Sequence, residues 1–326
     1  MINMENLDHI ISLCKLIELR KDYNQSNGGN ISFKEGNKIY IKPSGRHMGN
    51  INTIDDFFSS EMDAFNNLLL ENSDLDSHQK NFYQQFDADS LRPSIETFLH
   101  VQLKKYTVHL HQIGSLILSC RNDWKNYIGQ HFPKALCLNY AHPGLELGIE
   151  LKKEISKLGH IPEVIFMQNH GIIISTDSYQ ELETLLNVTF KKINSLIQYT
   201  NFHIDYFEAA EKLFRILQKK SIKFYTSQWQ EKLPSCFGNY LSPDIIIHLG
   251  DSPEDQNIKN TSNKKVLVYN DYLFLLEQDA VKRTEVEELA IAQIEICLAL
   301  EESNINFLDK TVVERISNWA LGKARR

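Results

Sequence analysis

Two histidines one residue apart, His109 and His111 in Thr107-Val108-His109-Leu110-His111, are the residues whose types and spacing most suggest chemistry. In a strand, side chains two apart share a face. Val108 and Leu110 would then enter a core while both imidazoles project from the opposite side. So placed, they can take adjacent corners of a metal's coordination sphere, at about 2.0–2.1 Å each for zinc. Polar-face histidines on an exposed strand are the competing reading. A third histidine strengthens the metal reading: His170 sits in Gln168-Asn169-His170-Gly171, between the apolar runs Val164–Met167 and Ile172–Ile174. From such a turn a side chain can reach into a site, and three imidazoles with one open position describe a catalytic zinc. Glu96 would add an acid/base carboxylate from the first turn of the helix that leads to the histidine strand. Acidic residues also favour helix N-termini through the backbone dipole alone, by about 0.3–1 kcal/mol. His100, one turn later on the same face, reads as a supporting residue rather than a ligand.

These side chains need elements to position them. The opening stretch to Asn24 reads as an amphipathic helix. Asn27-Gly28-Gly29-Asn30 is a turn signal before Ile31-Ser32-Phe33, and a short turn then leads to Ile39-Tyr40-Ile41, which together read as a β-hairpin closed by Lys42-Pro43-Ser44-Gly45. Residues 46 to 90 are polar and acidic with few apolar anchors, so irregular structure is expected there. Arg92-Pro93-Ser94 opens a helix with Ser94 as N-cap, and Ile95, Phe98, Leu99, Gln102 and Leu103 continue it at helical spacing. Leu116-Ile117-Leu118 belongs to a buried element, and residues 178 to 200 form a long helix. The pattern restarts near 201 to 207. Beyond it come a helix at 207 to 219, a strand at Asp244-Ile245-Ile246-Ile247-His248, a hairpin from Lys265 to Leu276 and closing helices near 283 to 302 and 309 to 322. The expected organisation is one domain over 1–203 and a smaller C-terminal α/β domain over 204–326.

The bulk properties exclude several functions. With 326 residues, 42% hydrophobic and 24% charged, the composition is that of a soluble globular protein. A net charge of −7 without any concentrated basic stretch argues against nucleic acid as the main partner. No apolar run approaches the roughly 18 residues of a membrane helix, and the N-terminus lacks the basic start of a secretory signal. Five dispersed cysteines without a CxxC pair fit reduced core thiols in a cytoplasm.

Taken together, GGNIS at 28–32, IKPSG at 41–45, RPSIETFLH at 92–100, VHLH at 108–111 and QNHGIII at 168–174 resemble the class II aldolase/adducin family, with RPSIET most similar to the rhamnulose-1-phosphate aldolase branch. The resemblance spans roughly residues 5 to 200. It implies an α/β fold with a central, mainly antiparallel sheet flanked by helices, a Zn²⁺ ion, and a homo-oligomer, usually a tetramer. By the same resemblance His109, His111 and His170 take the ligand places and Glu96 that of the catalytic carboxylate. Gly29, Asn30, Ser44, Gly45 and Ser94 take the phosphate-cradling places. Glycines and small residues do expose backbone N–H groups that can bind an anion, although Gly28-Gly29 and Ser44-Gly45 alone would read as ordinary turns. The implied reaction is aldol cleavage of a ketose or ketose phosphate through a metal-stabilised enediolate. Ile95 departs from the pattern, standing where the phosphate-binding aldolases often have a second serine, so a non-phosphorylated substrate is also open. Two alternatives share the fold: an epimerase, dehydratase or decarboxylase using the same histidines, and a non-catalytic adducin-like module lacking the ligands. Epimerases resembling this family typically carry aspartate in the place of Glu96, which favours the aldolase.

Overall fold

A computed structural model of the chain describes residues 4–70, 74–86, 91–197, 223–226, 239–249, 265–269, 272–277, 279–300 and 302–321. Seven strands form its main sheet: β1 Asn30–Glu35, β2 Lys38–Ile41, β3 Phe58–Glu61, β4 Tyr106–Leu110, β5 Leu136–Leu138, β6 Val164–Met167 and β7 Gly171–Thr176. Their order is β3-β2-β1-β4-β7-β6-β5. All neighbouring pairs are antiparallel except β5 and β6. This is the mainly antiparallel sheet the sequence led us to expect.

Alternation along the central strands assigns each face. Ile31, Phe33, Val108, Leu110, Ile172 and Ile174 pack in one buried cluster with the opening helix α1, Met4–Leu19, and with α8, Tyr179–Leu196. On the other face Ile165, Met167 and Ile173 join Leu99 and Leu147, contributed by the short helix α4, Thr97–His100, and by α7, Leu145–Leu158. His109 belongs to this second face. The register sets it between Asn30 of β1 and Ile173 of β7.

Within the stretch 46 to 90, the described residues are more ordered than the polar composition suggested. They hold β3 and two helices, α2 Asp63–Leu68 and α3 Leu75–Tyr83. A few aromatics anchor them: the Phe65 ring lies 5.0 Å from Phe82 and 5.4 Å from Phe98, edge to face in both cases. Such large, widely spaced anchors bury an element without producing a readable apolar period.

The helix expected from Arg92 onward contracts to the single turn of α4. Glu96 sits at its N-cap position, and Ser94 Oγ accepts the Glu96 N–H from 3.3 Å. After His100 the chain turns tightly, with Gln102 N–H on Leu99 O and Leu103 N–H on His100 O, and so drops directly into β4.

Beyond the sheet the chain continues as α5 Ile113–Ser119 and α6 Trp124–His131, and in its C-terminal part as α9 Pro243–Leu249, α10 Ala280–Ala299 and α11 Lys310–Leu321. A three-stranded sheet carries the expected hairpin, β9 Val266–Tyr269 and β10 Tyr272–Leu275, with β8 Lys223–Thr226 on the other side of β10. The strand expected at Asp244–His248 is instead helix α9. Pro243 stands at the first helical position, where its fixed φ and missing N–H suit a helix. Ile245, Ile246 and Leu249 then bury at helical spacing in one cluster with Val286, Leu289 and Ala290 of α10 and Ile316 of α11. Three consecutive isoleucines suggested β structure, but their packing surface is helical. The expected helix at 207–219 and the expected boundary at 203/204 lie outside the described residues. Among those described, no helix is long and apolar enough to cross a membrane.

Candidate metal centre and substrate cavity

Four side chains from three segments converge. The ligand atoms of Glu96, His109, His111 and His170 all lie within 4.8 Å of one another, and all four residues are buried. His109 Nε2 is 3.0 Å from His111 Nε2 and 3.2 Å from Glu96 Oε1. His170 Nε2 is 2.7 Å from the same carboxylate oxygen. Strand alternation delivers the first two imidazoles together, while Val108 and Leu110 go to the core. The third arrives from the turn between β6 and β7. There Asn169 adopts a left-handed φ of 54° and Gly171 a φ of 146°. A Cβ at Gly171 would stand 2.3 Å from the carbonyl oxygen of Leu110, so only glycine lets the turn press against the end of β4 beside His111.

The outer ring nitrogens are committed. His109 Nδ1 donates to Ile172 O at 3.1 Å, and His111 Nδ1 lies 3.0 Å from Asp244 Oδ2. A neutral imidazole whose Nδ1 carries the proton keeps an acceptor lone pair on Nε2, so the inward nitrogens of His109 and His111 face each other and Glu96. Electron-rich atoms 3 Å apart in a dry site repel unless a cation lies among them. Ligands about 2.0–2.1 Å from a tetrahedral zinc stand about 3.3 Å apart, close to these separations. The donor set therefore fits a divalent metal.

Protonation agrees. Burial raises the Glu96 carboxyl's pKa, but the adjoining His109 and His170 imidazoles outweigh it and hold Glu96 well below the usual carboxylate range. Burial dominates at His109 and lowers its pKa despite Glu96. His100 stands behind them, fully buried, with Nδ1 2.7 Å from Ser32 Oγ and its pKa lowered to about 3 by burial and then by His109. It is neutral and structural, in keeping with its expected supporting role.

A cavity of about 630 Å³ opens onto the cluster, within the range of small-molecule sites. Gly29, Asn30, Ser44, Gly45 and Ser94 all line it, with Glu96, His111 and His170. Asn30 Nδ2 donates to Glu96 Oε2 at 2.5 Å and to Ser94 Oγ at 3.1 Å. Its Oδ1 is buried without a hydrogen-bond partner. Ile95 lines the same wall.

Sequence reasoning missed contributors of three kinds. Lys42, nearly inaccessible, sends Nζ to Asn27 O at 3.0 Å and Arg46 O at 2.7 Å, tying the two cradle loops together. Arg92 and Arg46 line the cavity, and Arg46 is paired through Nη1 with Asp56 at 2.5 Å. A buried lysine inside IKPSG was the available signal, since Lys is rarely buried unless paired. The third is Asp244, from α9, for which the misread strand hid the geometry.

Residues 8–187 match the family model for the class II aldolase and adducin N-terminal domain. The chain belongs to the class II aldolase/adducin family. It is 28% identical over 200 residues to L-fuculose phosphate aldolase of Methanocaldococcus jannaschii, a match covering 56% of this chain and 97% of that protein. Its fold is similar to the N-terminal class II aldolase domain of a conserved protein from Thermoplasma acidophilum, with a TM-score of 0.52, 22% identity, and coverage of 59% of this chain and 93% of that one.

Proposed function

We propose that the chain is a zinc-dependent aldolase that cleaves or forms a C–C bond in a ketose or ketose phosphate. One observation carries the reading: the buried convergence of Glu96, His109, His111 and His170 on the wall of a cavity lined by the loop positions expected to cradle a phosphate. The three histidines would hold the ion, with Glu96 beside it. A bound divalent zinc supplies Lewis-acid stabilisation of the negative charge that develops on the substrate's carbonyl oxygen.

The chain's own groups do the rest. Glu96, ionised and steadied by Asn30, exchanges the proton at the ketone-side carbon, a role in which a positioned base contributes about 10²–10⁴-fold. Burial of the cluster excludes water from that exchange. Gly29, Asn30, Ser44, Gly45 and Ser94 take the far end of the substrate, with Arg46 and Arg92 adding attraction for an anionic group. Ile95 removes one hydroxyl from that end, so a phosphate there would depend on backbone N–H groups and the arginines.

The same reading takes the chain as a cytoplasmic homo-oligomer, up to a tetramer. Burial keeps thiol chemistry out of the account: it pushes Cys14 and Cys120 up to about 12 and Cys137 up to about 11.

Retro-aldol assays against phosphorylated and unphosphorylated ketoses, with the product aldehyde trapped, test the reaction. Conversion without C–C cleavage would point to the epimerase, dehydratase or decarboxylase chemistry of the same fold. Purified protein without stoichiometric zinc, unaltered by His109→Ala, would leave a binding module.

A further inference from the structure

The family match ends at residue 187, yet residues far beyond it grip the parts of the chain that form the metal centre. Asn169, next to His170, donates through Nδ2 to Leu241 O at 2.8 Å and Asn306 O at 2.6 Å, and Asn306 Nδ2 returns a bond to Asn169 Oδ1 at 3.2 Å. The Ser26 N–H, just before the Gly28–Asn30 turn, donates to Glu288 Oε2 at 2.7 Å. Most directly, Asp244 Oδ2 lies 3.0 Å from His111 Nδ1, with both side chains almost wholly covered.

The two strand histidines differ in what steadies them. His109 pairs with Ile173 inside the sheet and finds its acceptor in the neighbouring carbonyl of Ile172. His111 follows the last residue of β4, where the ladder has ended. A ring there is oriented by whatever reaches its Nδ1, and the carboxylate of α9 does so. We propose that Asp244 is a positioning residue for the metal. It holds His111 in the tautomer that turns Nε2 toward the ion and makes that nitrogen a better donor, so that the C-terminal segment is a working part of the centre. The inference rests on the reading of His109, His111 and His170 as ligands.

Gly28 gives the pairing a second, independent signature. A Cβ built there would stand 2.8 Å from Asp244 Oδ2 and 2.8 Å from His111 Nδ1. The turn therefore leaves room for these two atoms to meet, and any side chain at position 28 would be driven between them.

An acceptor on the outer nitrogen of a ligating histidine is typically worth 10–100-fold in metal affinity. The test is competition for Zn²⁺ against a chromophoric chelator, using the full chain, with thermal unfolding of each metal-stripped protein alongside. Asp244→Ala is expected to weaken zinc binding about 10–100-fold. Asp244→Asn keeps an acceptor oxygen but loses the charge, and is expected to lie between Asp244→Ala and wild type. Gly28→Ala should weaken binding in the same direction without touching either partner's identity. Leu289→Ala, which cuts a buried contact of the C-terminal cluster away from the cavity, should lower the melting temperature while keeping wild-type zinc affinity. Wild-type affinity in both Asp244 variants would overturn the proposal. So would an equal loss in Leu289→Ala, which would reduce Asp244 to packing. Should Asp244→Ala not fold, the near-isosteric Asn variant decides. Failure of the wild-type protein to bind zinc at all is a different result, and strikes the ligand assignment itself.

Discussion

His109 and His111 are separated by a single residue, one within β4 and the other just past its end, yet they are held by different regions of the molecule. The sheet region fixes His109 through the carbonyl of Ile172, and the C-terminal region reaches His111 through Asp244. The turn bearing His170 is divided likewise: its left-handed Asn169 and its Gly171 belong to the sheet hairpin, while the hydrogen bonds of Asn169 go to Leu241 and Asn306. The sheet region supplies the chemical groups, and the C-terminal region supplies much of their restraint. Reactive groups can thus be inherited with a common fold while their rigidity is set by a part of the chain outside that fold.

Substitutions that separate chemistry from restraint can break this contrast. The largest effect belongs to Glu96→Gln, which should cut turnover by about 10²–10⁴-fold while metal content, read by elemental analysis, stays near wild type. Full activity in that variant would remove Glu96 from the mechanism.

Gly171→Ala comes next, since it brings a Cβ against the backbone of β4 at a φ that L residues avoid. A cost of at least about 1–3 kcal/mol is expected from urea unfolding, and an unchanged midpoint would mean that the turn relaxes freely.

Asn169→Gly keeps access to the left-handed φ but deletes the bonds to Leu241 and Asn306. It should cost about 1–3 kcal/mol for the acceptors left behind. A neutral result in the same unfolding assay would say that this link between the regions is not a restraint.

A pH-dependent effect concerns Glu295 on α10, whose pKa burial and then Asp22 raise to about 7. Folding favours its neutral form, so its contribution is greatest below the unfolded value near 4.5 and declines as pH rises through about 7. Glu295→Gln has no such titration. Its stability relative to wild type should therefore increase between pH 5 and pH 8, and a pH-independent difference in melting temperature would contradict that assignment.

The two regions were also unequally legible in the sequence. Strand alternation at 107–111 separates the two histidines from the core because Val108 and Leu110 share the opposite, buried face, and the hairpin at 31–41 follows from a Gly/Asn turn between apolar runs. These are local codes, and the structure keeps them. The one-turn α4 was overextended because Phe98, Leu99 and Leu103 are spaced like a helix although the chain turns tightly after His100. Residues 46–90 hid their helices behind a few large aromatic anchors. Asp244 was invisible for a different reason. Its function depends on a tertiary meeting with His111 and on the empty space at Gly28, and neither leaves a periodic trace in the sequence around Ile245-Ile246-Ile247.

The most direct test is a crystal structure of the full chain grown with zinc, with anomalous data collected on both sides of the zinc absorption edge. The account predicts one strong peak at bonding distance from the inward nitrogens of His109, His111 and His170, with Glu96 alongside and Asp244 still on the far side of the His111 ring. A zinc-loaded crystal with no peak among those three rings, or with the metal bound elsewhere, would contradict it.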